Sequence, residues 1–415
     1  MSTDRKASSR RIIFVNRFYY PDHSATAQIL ADVAEHLART QDGVEVITSR
    51  LSYDGAAQPF KPRETIKNVR IRRVSTTRFG RAHLVGRAAD YASFYLSASA
   101  VVFRRARRGD VLVIKTDPPL LSIPLGLIGR LKGARVLNWL QDIYPDVAAS
   151  LGLRMFDGPI GALLKGLRDR SFRKAAGNVV IGDQMAERLL EANVPTGKIA
   201  TIHNFVDDVA IQPLAKDDNA LRRAWGFEPT DFIVGYSGNL GRAHDLDTML
   251  GAAALVSDTP SIKFLFVGGG HLRERLDAEI EARGLTNVVL KPYQPRDQLP
   301  LSLGVPDLHW VSLLPSLEGL IVPSKLYGIA AAGRPLLMIG DPDGEIGSAV
   351  RKYGFGVGIS PGEAAQVAHH ISEWASTPAK VAEMSTAARR YVDEKASRQR
   401  AFEAWSELIS AGDGR

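Results

Sequence analysis

Short apolar runs alternate with stretches of helical hydrophobic spacing, and the alternation runs through once, lapses, and starts again. Residues 11–16 (RIIFVN) have the β-branched, apolar character of a strand, and 25–39 then place Ile29, Leu30, Val33 and Leu37 at helical spacing. Runs at 44–48, 69–74, 111–115, 135–140 and 178–181 continue as strands, with helices predicted over 88–105 and 183–192. The second series opens at 232–236 (FIVGY) and continues at 263–267, 288–290, 308–313 and 335–339, each followed by a turn and mostly by a helix. Alternation of this kind gives an α/β protein with parallel sheets. Two such series in 415 residues predict two Rossmann-like domains, at 11–205 and 206–390, after a disordered tail at 1–10. The polar, turn-rich stretch 204–218 (NFVDDVAIQPLAKDD) marks the boundary between them. The last helical stretch, from Pro378 to Ile409, leaves a C-terminal segment, 391–415, to pack back on the first domain.

Cysteine is absent, which excludes disulfides, thiolate nucleophiles and cysteine-based zinc sites and fits a reducing compartment. The first eleven residues are polar and basic and read as no secretory signal. The most apolar window, 111–129, is broken by Lys115, Asp117 and Pro118-Pro119, so it reads as strand, turn and buried helix, not as a membrane span. Charge is uneven. Residues 1–210 hold 32 Lys and Arg against 20 Asp and Glu, while the remainder holds 21 against 25. Within 61–108 there are 13 basic residues and two acidic ones, Glu64 and Asp90. An anionic membrane, a phosphorylated acceptor and nucleic acid are the partners such a stretch suggests.

The sharpest local motif is Tyr236-Ser237-Gly238-Asn239-Leu240-Gly241-Arg242, set between a strand and a helix near Leu246. Glycines let backbone approach a phosphate, a helix N-terminus favours negative charge, and Arg242 adds a forked donor. A tight strand–helix turn without ligand is the competing reading. In Glu318-Gly319-Leu320-Ile321-Val322-Pro323-Ser324-Lys325, Ser324 is placed to cap a helix over 326–332. Lys325 then sits in the first turn, where a cation is unfavourable unless an anion binds beside it. Glu318 is a candidate acceptor for sugar hydroxyls. Gly268-Gly269-Gly270-His271 also ends a strand, either as a ligand loop or as a merely permissive one; it is not a dinucleotide fingerprint.

In the first half, Ser24, Ala25 and Thr26 join strand to helix with small side chains, and Asp142, Tyr144 and Asp146 stand at another strand end. Asp142 is the best-placed acid there, and Asp146 reads as a helix cap. Asp341-Pro342-Asp343 and Asp245-Leu246-Asp247 match a DxD pattern, but both read as turn or chance matches, and the histidines lack ligand spacing. No metal site is expected.

Together, YSGNLGRAHDLDTML, FLFVGGGHLRERL, VSLLPSLEGLIVPSKLYGIAAAGRP and DGEIGSAV resemble, in order and spacing, the retaining glycosyltransferases of family four. RFYYPDHSATAQILADVAEHLA and LNWLQDIYPDVAASLGL resemble the first domain of the WbuB/WcaI-like branch, whose members build bacterial surface polysaccharides. The resemblance implies the GT-B fold: two Rossmann-like domains with a central cleft. It implies transfer of a sugar from a nucleoside-diphosphate sugar, expected to be UDP-linked, without a metal or a resident cofactor. The acceptor it implies is a polyprenyl-diphosphate-linked saccharide, with the enzyme cytoplasmic and peripheral on the inner face of the cytoplasmic membrane.

Carried over residue by residue, Arg242 matches the family's phosphate-binding arginine. His244 lies nearest the position of the usual lysine, and Lys325 becomes the candidate second phosphate cation. Glu318 matches the first of the paired glutamates, and the second falls on Gly328. Gln141-Asp142 stand where the first domain's catalytic-loop histidine is usual. The implied donor site is Gly238, Asn239, Gly241, Arg242, Gly268, Gly269, Glu318, Val322, Ser324 and Lys325. The implied acceptor side is Ser24, Ala25, Thr26, Asp142 and Tyr144, and catalysis falls to Asp142, Arg242, Lys325 and Glu318. A UDP-sugar 2-epimerase of the same fold and a non-catalytic sugar-binding homologue are the alternatives. A nucleic-acid-binding protein leaves the second-half motifs without a role, so no nucleic-acid partner is expected.

Overall fold

In the computed structural model, which describes residues 10–22, 24–52, 59–80 and 84–411, the chain divides into two compact units. The first runs to Ile202 and regains the chain at Phe402; the second is His203–Ala401.

The first unit is built on an eight-stranded sheet: β1 (Ile12–Val15), β2 (Val44–Ser49), β3 (Arg63–Ile66), β4 (Val69–Val74), β5 (Val111–Lys115), β6 (Arg135–Trp139), β7 (Gly177–Val180) and β8 (Ile199–Thr201), in the order β3-β4-β2-β1-β5-β6-β7-β8. Neighbours are parallel except β3 and β4, which form an antiparallel ribbon with Arg63 opposite Arg72. Every residue of β1, β2, β5 and β7 is buried, as in strands covered on both faces.

One face carries helices Leu84–Arg105, Ser122–Leu131 and Pro159–Lys174, and Phe94, Ala98, Val102 and Leu125 share a core with Val15, Leu112 and Ile114. Elsewhere in the unit the returning end of the chain is anchored by the buried Trp405. Its ring packs at 4.4 Å from Trp139 and 6.4 Å from Phe14. His36, on helix Ala25–Thr40, stacks on Phe402 at 4.3 Å. Arg135 donates to the carbonyls of Leu408 and Ile409, each at 3.0 Å, satisfying acceptors that a helix end leaves open.

The second unit holds a six-stranded parallel sheet: β9 (Phe232–Asn239), β10 (Ile262–Gly269), β11 (Val288–Lys291), β12 (Leu308–Ser312), β13 (Leu336–Ile339) and β14 (Gly356–Ile359), in the order β11-β10-β9-β12-β13-β14. The order reverses between β9 and β12. At such a reversal the connections leave in opposite directions and open a crevice at the carboxyl ends of the strands. In the first unit the corresponding reversal lies between β1 and β5.

The expected return of 391–415 needs correcting. Helix Pro378–Tyr391 and the π-helical turn Val392–Ala396 stay with the second unit, and only the chain from Phe402 joins the first. The reason is a local apolar face: Met384, Ala388, Tyr391 and Val392 are buried, and Tyr391 packs on Tyr353 and Phe355. Arg389 adds hydrogen bonds to the carbonyls of Asp208, Ile211 and Ala331.

Candidate active site

β9 and β10 stay paired to their last residues, Gly268 opposite Gly238 and Gly269 opposite Asn239. The glycines are required by crowding. A Cβ on Gly268 (φ +128) would lie 2.3 Å from the Gly238 carbonyl oxygen, and one on Gly238 (φ +126) would lie 2.8 Å from Cε of Lys325. Asn239 is exposed, and its carbonyl accepts from the buried Tyr236 hydroxyl at 2.7 Å. Beside Gly269 stands Tyr293, an exposed aromatic that sequence reasoning missed, whose hydroxyl donates to the Gly269 carbonyl at 3.3 Å. An aromatic ring beside a strand-end loop is visible only once β11 is placed next to β10.

Lys325 opens helix Lys325–Ala331, and its stem crosses Gly238. Nζ lies 5.1 Å from the centre of the Tyr236 ring and 3.4 Å from Nε2 of His244. No carboxylate pairs with it among the described residues, and burial lowers its pKa to about 8. His244 places Nδ1 2.6 Å from the Ser312 carbonyl oxygen. That nitrogen must donate, which leaves Nε2 as an acceptor facing the ammonium. Burial first, and then Lys325, lower the His244 pKa to about 4, so the ring is neutral at physiological pH. The site thus holds a half-buried cation among neutral groups.

Arg242 follows Gly241 on the loop after β9. It is exposed and makes no hydrogen bond or ion pair among the described residues, so its full donor fork is available. The expected role for the next helix end changes. Asp245 accepts from the Thr248 N–H at 3.0 Å, so the start of helix Asp247–Leu255 already has an acid on it. Ser324 also departs from expectation. It has helical backbone angles, is exposed and makes no capping bond. Val322, two residues earlier, is buried.

Glu318 is buried and accepts from the Glu345 N–H at 2.7 Å, while a Cβ on Gly344 would fall 2.5 Å from its Cδ. The carboxylate thus anchors the start of helix Glu345–Tyr353, where the backbone dipole favours it. Position 328 is buried, and a Cβ there would lie 3.2 Å from Leu303 Cδ1, so a second acid at this point would enter the core. Asp341 accepts from the Asp343 N–H at 2.9 Å and Asp343 pairs with Arg351 at 2.8 Å, which makes the DxD match a turn with an ion pair.

In the first unit, the Ser24 N–H donates to Asp22 at 2.8 Å and the Ser24 hydroxyl is buried without a partner. Ala25 is exposed at the start of its helix, and the Thr26 carbonyl accepts from Lys115 Nζ at 3.1 Å. Lys115 sits fully buried at the end of β5, with Nζ 3.7 Å from the centre of the Trp139 ring. Burial lowers its pKa to about 7. Asp142, after β6, is raised to about 7 by burial, with Asp117 acting the same way and Thr116 and Lys115 opposing. Its Oδ1 has no hydrogen-bond partner. Burial and Asp142 raise the Tyr144 hydroxyl. These groups form one charge cluster at the strand ends. Its sequence signal was the lysine inside VLVIK, read above only as a break in an apolar run. Asp146 lies apart, paired with Arg168 and with Lys165 at 3.3 Å at the start of helix Asp146–Ser150.

Part of the basic stretch 61–108 is neutralised within the fold. Arg72 and Arg105 both pair with Glu45, at 3.0 and 2.9 Å, and Arg73 is buried against Glu64. Phe94 is core, the Tyr95 hydroxyl donates to the Pro119 carbonyl, and Arg17 stacks on Tyr91 at 5.0 Å. Arg81 lies outside the described residues.

Comparison with known proteins agrees with this layout. Residues 24–204 match the model described as a glycosyl transferase 4-like domain, and 217–391 match that of glycosyl transferases group 1. The putative colanic acid biosynthesis glycosyl transferase WcaI of Escherichia coli (strain K12) is 27% identical over 274 residues, 65% of this chain and 67% of that one. The probable glycosyltransferase WbjE of Pseudomonas aeruginosa is 25% identical over 269 residues, again 65% and 67% of the two chains. Among solved structures, Anabaena Alr3699/HepE in complex with UDP superposes with a TM-score of 0.71 at 13% identity, covering 97% of this chain and 100% of that one. No helix among the described residues is long and apolar enough to cross a membrane. The two family models, one on each unit, and the two-sheet architecture agree: the chain belongs to the family-4 glycosyltransferases of the GT-B fold and is an enzyme of the WcaI-like kind.

Proposed function

We propose that the enzyme moves a hexosyl or N-acetylhexosaminyl group from a UDP-sugar to a polyprenyl-diphosphate-linked or growing saccharide, with retention, in bacterial surface-polysaccharide synthesis on the inner face of the cytoplasmic membrane. The observation that carries this reading is the Lys325 ammonium, held over Gly238 beside a neutral His244 with no carboxylate partner among the described residues. The names of the relatives support the pathway class, and the UDP in the HepE complex supports the nucleotide.

Arg242 and Lys325 meet the diphosphate, and Gly238, Asn239, Gly241, Gly268 and Gly269 let it approach the backbone. Tyr293 offers a ring face for the base. Glu318, Val322 and Ser324 precede Lys325 on the connection that follows β12. As the C1–O bond to the diphosphate breaks, negative charge grows on the β-phosphate, and the two cations stabilise it without a metal. The acceptor hydroxyl forms the new C1–O bond from the same face, and its proton passes to the departing phosphate. Ser24, Ala25, Thr26, Asp142 and Tyr144 hold the acceptor.

The test is a screen of UDP- and GDP-sugars that follows nucleotide release with and without a lipid-linked saccharide. Acceptor-dependent release of UDP together with a longer saccharide is expected. A new UDP-sugar formed without acceptor would replace this reading with the epimerase.

A further inference from the structure

β5 (VLVIK) is buried at every position, and a lysine closes it. Side chains alternate across a strand, and Leu112 and Ile114 enter the core under helix Leu84–Arg105. Lys115 therefore points to the opposite face. There its Nζ donates to the Thr26 carbonyl at 3.1 Å and lies 3.7 Å from the centre of the ring of Trp139, its register partner on β6. Trp139 is itself backed by Trp405. A methionine would fill this space on the ring without the cost of burying an ammonium. What a lysine adds at 115 is a hydrogen-bond donor and a charge, and the proposed catalytic steps use neither.

Both act on the acceptor side. The carbonyl that Lys115 holds belongs to Thr26, in the first turn of helix Ala25–Thr40. The charge faces Asp117 and Asp142, just beyond the ends of β5 and β6. Thr116 steadies the Asp142 carboxyl. Its Oγ1 accepts from the Gln141 N–H at 3.1 Å, which leaves its own hydrogen for Asp142. Oδ1 of Asp142 stays buried without a hydrogen-bond partner. Asp117 repels this carboxylate, Tyr144 is a neutral hydroxyl on the same connection, and Tyr91 and Arg87 of helix Leu84–Arg105 act on Tyr144. Arg17, after β1, is engaged with Asp90 at 3.7 Å and with the Tyr91 ring. Among the described residues, Lys115 is the cation that acts on Asp142. Burial works to discharge both groups, and each opposes it in the other.

We infer that Lys115 is a positioning residue of the acceptor site: its ammonium pins the Ser24–Thr26 segment to the end of β5 and supplies the positive charge behind Asp142, so that an acceptor hydroxyl meets a fixed carboxylate. The inference rests on the proposed acceptor side. Lys115 is fully buried and acts through Asp142 and Thr26, not by touching the acceptor. Burial raises Asp142 to about 7 with Lys115 opposing, so loss of Lys115 moves it further up and protonates it at neutral pH.

Lys115→Met, Asp142→Asn and the double variant are compared, with UDP binding as the check on folding. Acceptor kcat/KM is followed across pH with the lipid-linked saccharide at saturating UDP-sugar, where bound diphosphate keeps Lys325 charged. The wild type should lose activity as pH falls through about 7. In Lys115→Met that limb should move up by about one pH unit, and acceptor kcat/KM at pH 7 should fall about fivefold or more, with donor KM unchanged. Asp142→Asn should lack the limb whether or not Lys115 is changed. Infrared spectra report Asp142 without substrate, as the carboxyl band missing from Asp142→Asn, and that band should persist to higher pH in Lys115→Met. The chain has no cysteine, so Lys115→Cys can be aminoethylated in denaturant and refolded. This returns an ammonium on a stem of equal length and should return limb and band to their wild-type places. A limb or a band that stays in its wild-type place in Lys115→Met would overturn the inference and leave the acceptor side as proposed. Wild-type acceptor kinetics in Asp142→Asn would take Asp142 off the acceptor, and the inference with it, while the donor site stood. A shifted band in a protein that transfers no sugar would sink the proposed function and leave the charge support of Asp142 by Lys115 in place.

Discussion

Lys325 and Arg242 differ in how the fold treats them, and that difference is measurable. Arg242 is exposed with its donors open, whereas Lys325 is half-buried and its charge is disfavoured. Arg242→Ala and Lys325→Ala should each lower transfer more than tenfold, about 1.4 kcal/mol or more of transition-state stabilisation. Wild-type rates in both folded variants would remove them from the donor site. Their pH behaviour should diverge. Burial brings the Lys325 pKa down to about 8, so the free enzyme holds the ammonium below that pH and loses it above. Donor kcat/KM, which reports the free enzyme, should therefore be level below about pH 8 and then fall, approaching tenfold per pH unit. Lys325→Arg should keep the level region through about pH 9.5, because a guanidinium does not titrate there. A wild-type profile without the bend would show that Lys325 does not face the diphosphate.

Among the elements, legibility followed burial. Strands such as VLVIK and IIFV announce themselves because both faces are covered and every position is apolar or inward. β3 (RETI) is an edge strand with exposed or half-buried residues, β8 is three residues long, and β14 (GVGI) carries two glycines; none makes an apolar run. The site divides the same way. Gly238 and Lys325 were legible as motifs, but the anchoring of Glu345 by Glu318 and the Lys115–Asp142 cluster join residues far apart in the chain. The returning helix was legible as a helix, but not the point at which it changes unit. That point depends on Trp405, which fills the space between Trp139 and Phe14. Trp405→Ala should destabilise the first unit by about 3–5 kcal/mol, the usual cost of an aromatic deletion in a core. In calorimetry its unfolding transition should move down while that of the second unit stays in place. A variant melting like the wild type would mean that the return is held by Arg135 and His36 instead.

For the whole molecule, charge is divided between the halves: residues 1–210 carry a surplus of twelve basic groups, and the rest a surplus of four acidic ones. The acidic half nonetheless holds the proposed diphosphate site, so local cations must do there what net charge does not. A divalent ion is the other common way to meet a diphosphate, and it needs converging oxygen ligands. Among the described residues no three His, Asp or Glu side chains gather for one, and Asp341 and Asp343 are engaged by a turn and by Arg351. Transfer should therefore persist in EDTA within about twofold, with the charge change carried by Arg242 and Lys325. Salt should separate the halves. Screening of the exposed cations on the first unit should reduce transfer to a vesicle-borne acceptor, while transfer to a soluble analogue changes much less because Lys325 is half-buried. Loss of activity in EDTA, restored by Mg²⁺ or Mn²⁺, would mean that the Asp341–Asp343 turn opens to hold a metal. Lys325 would then be a partner to that ion and not its substitute.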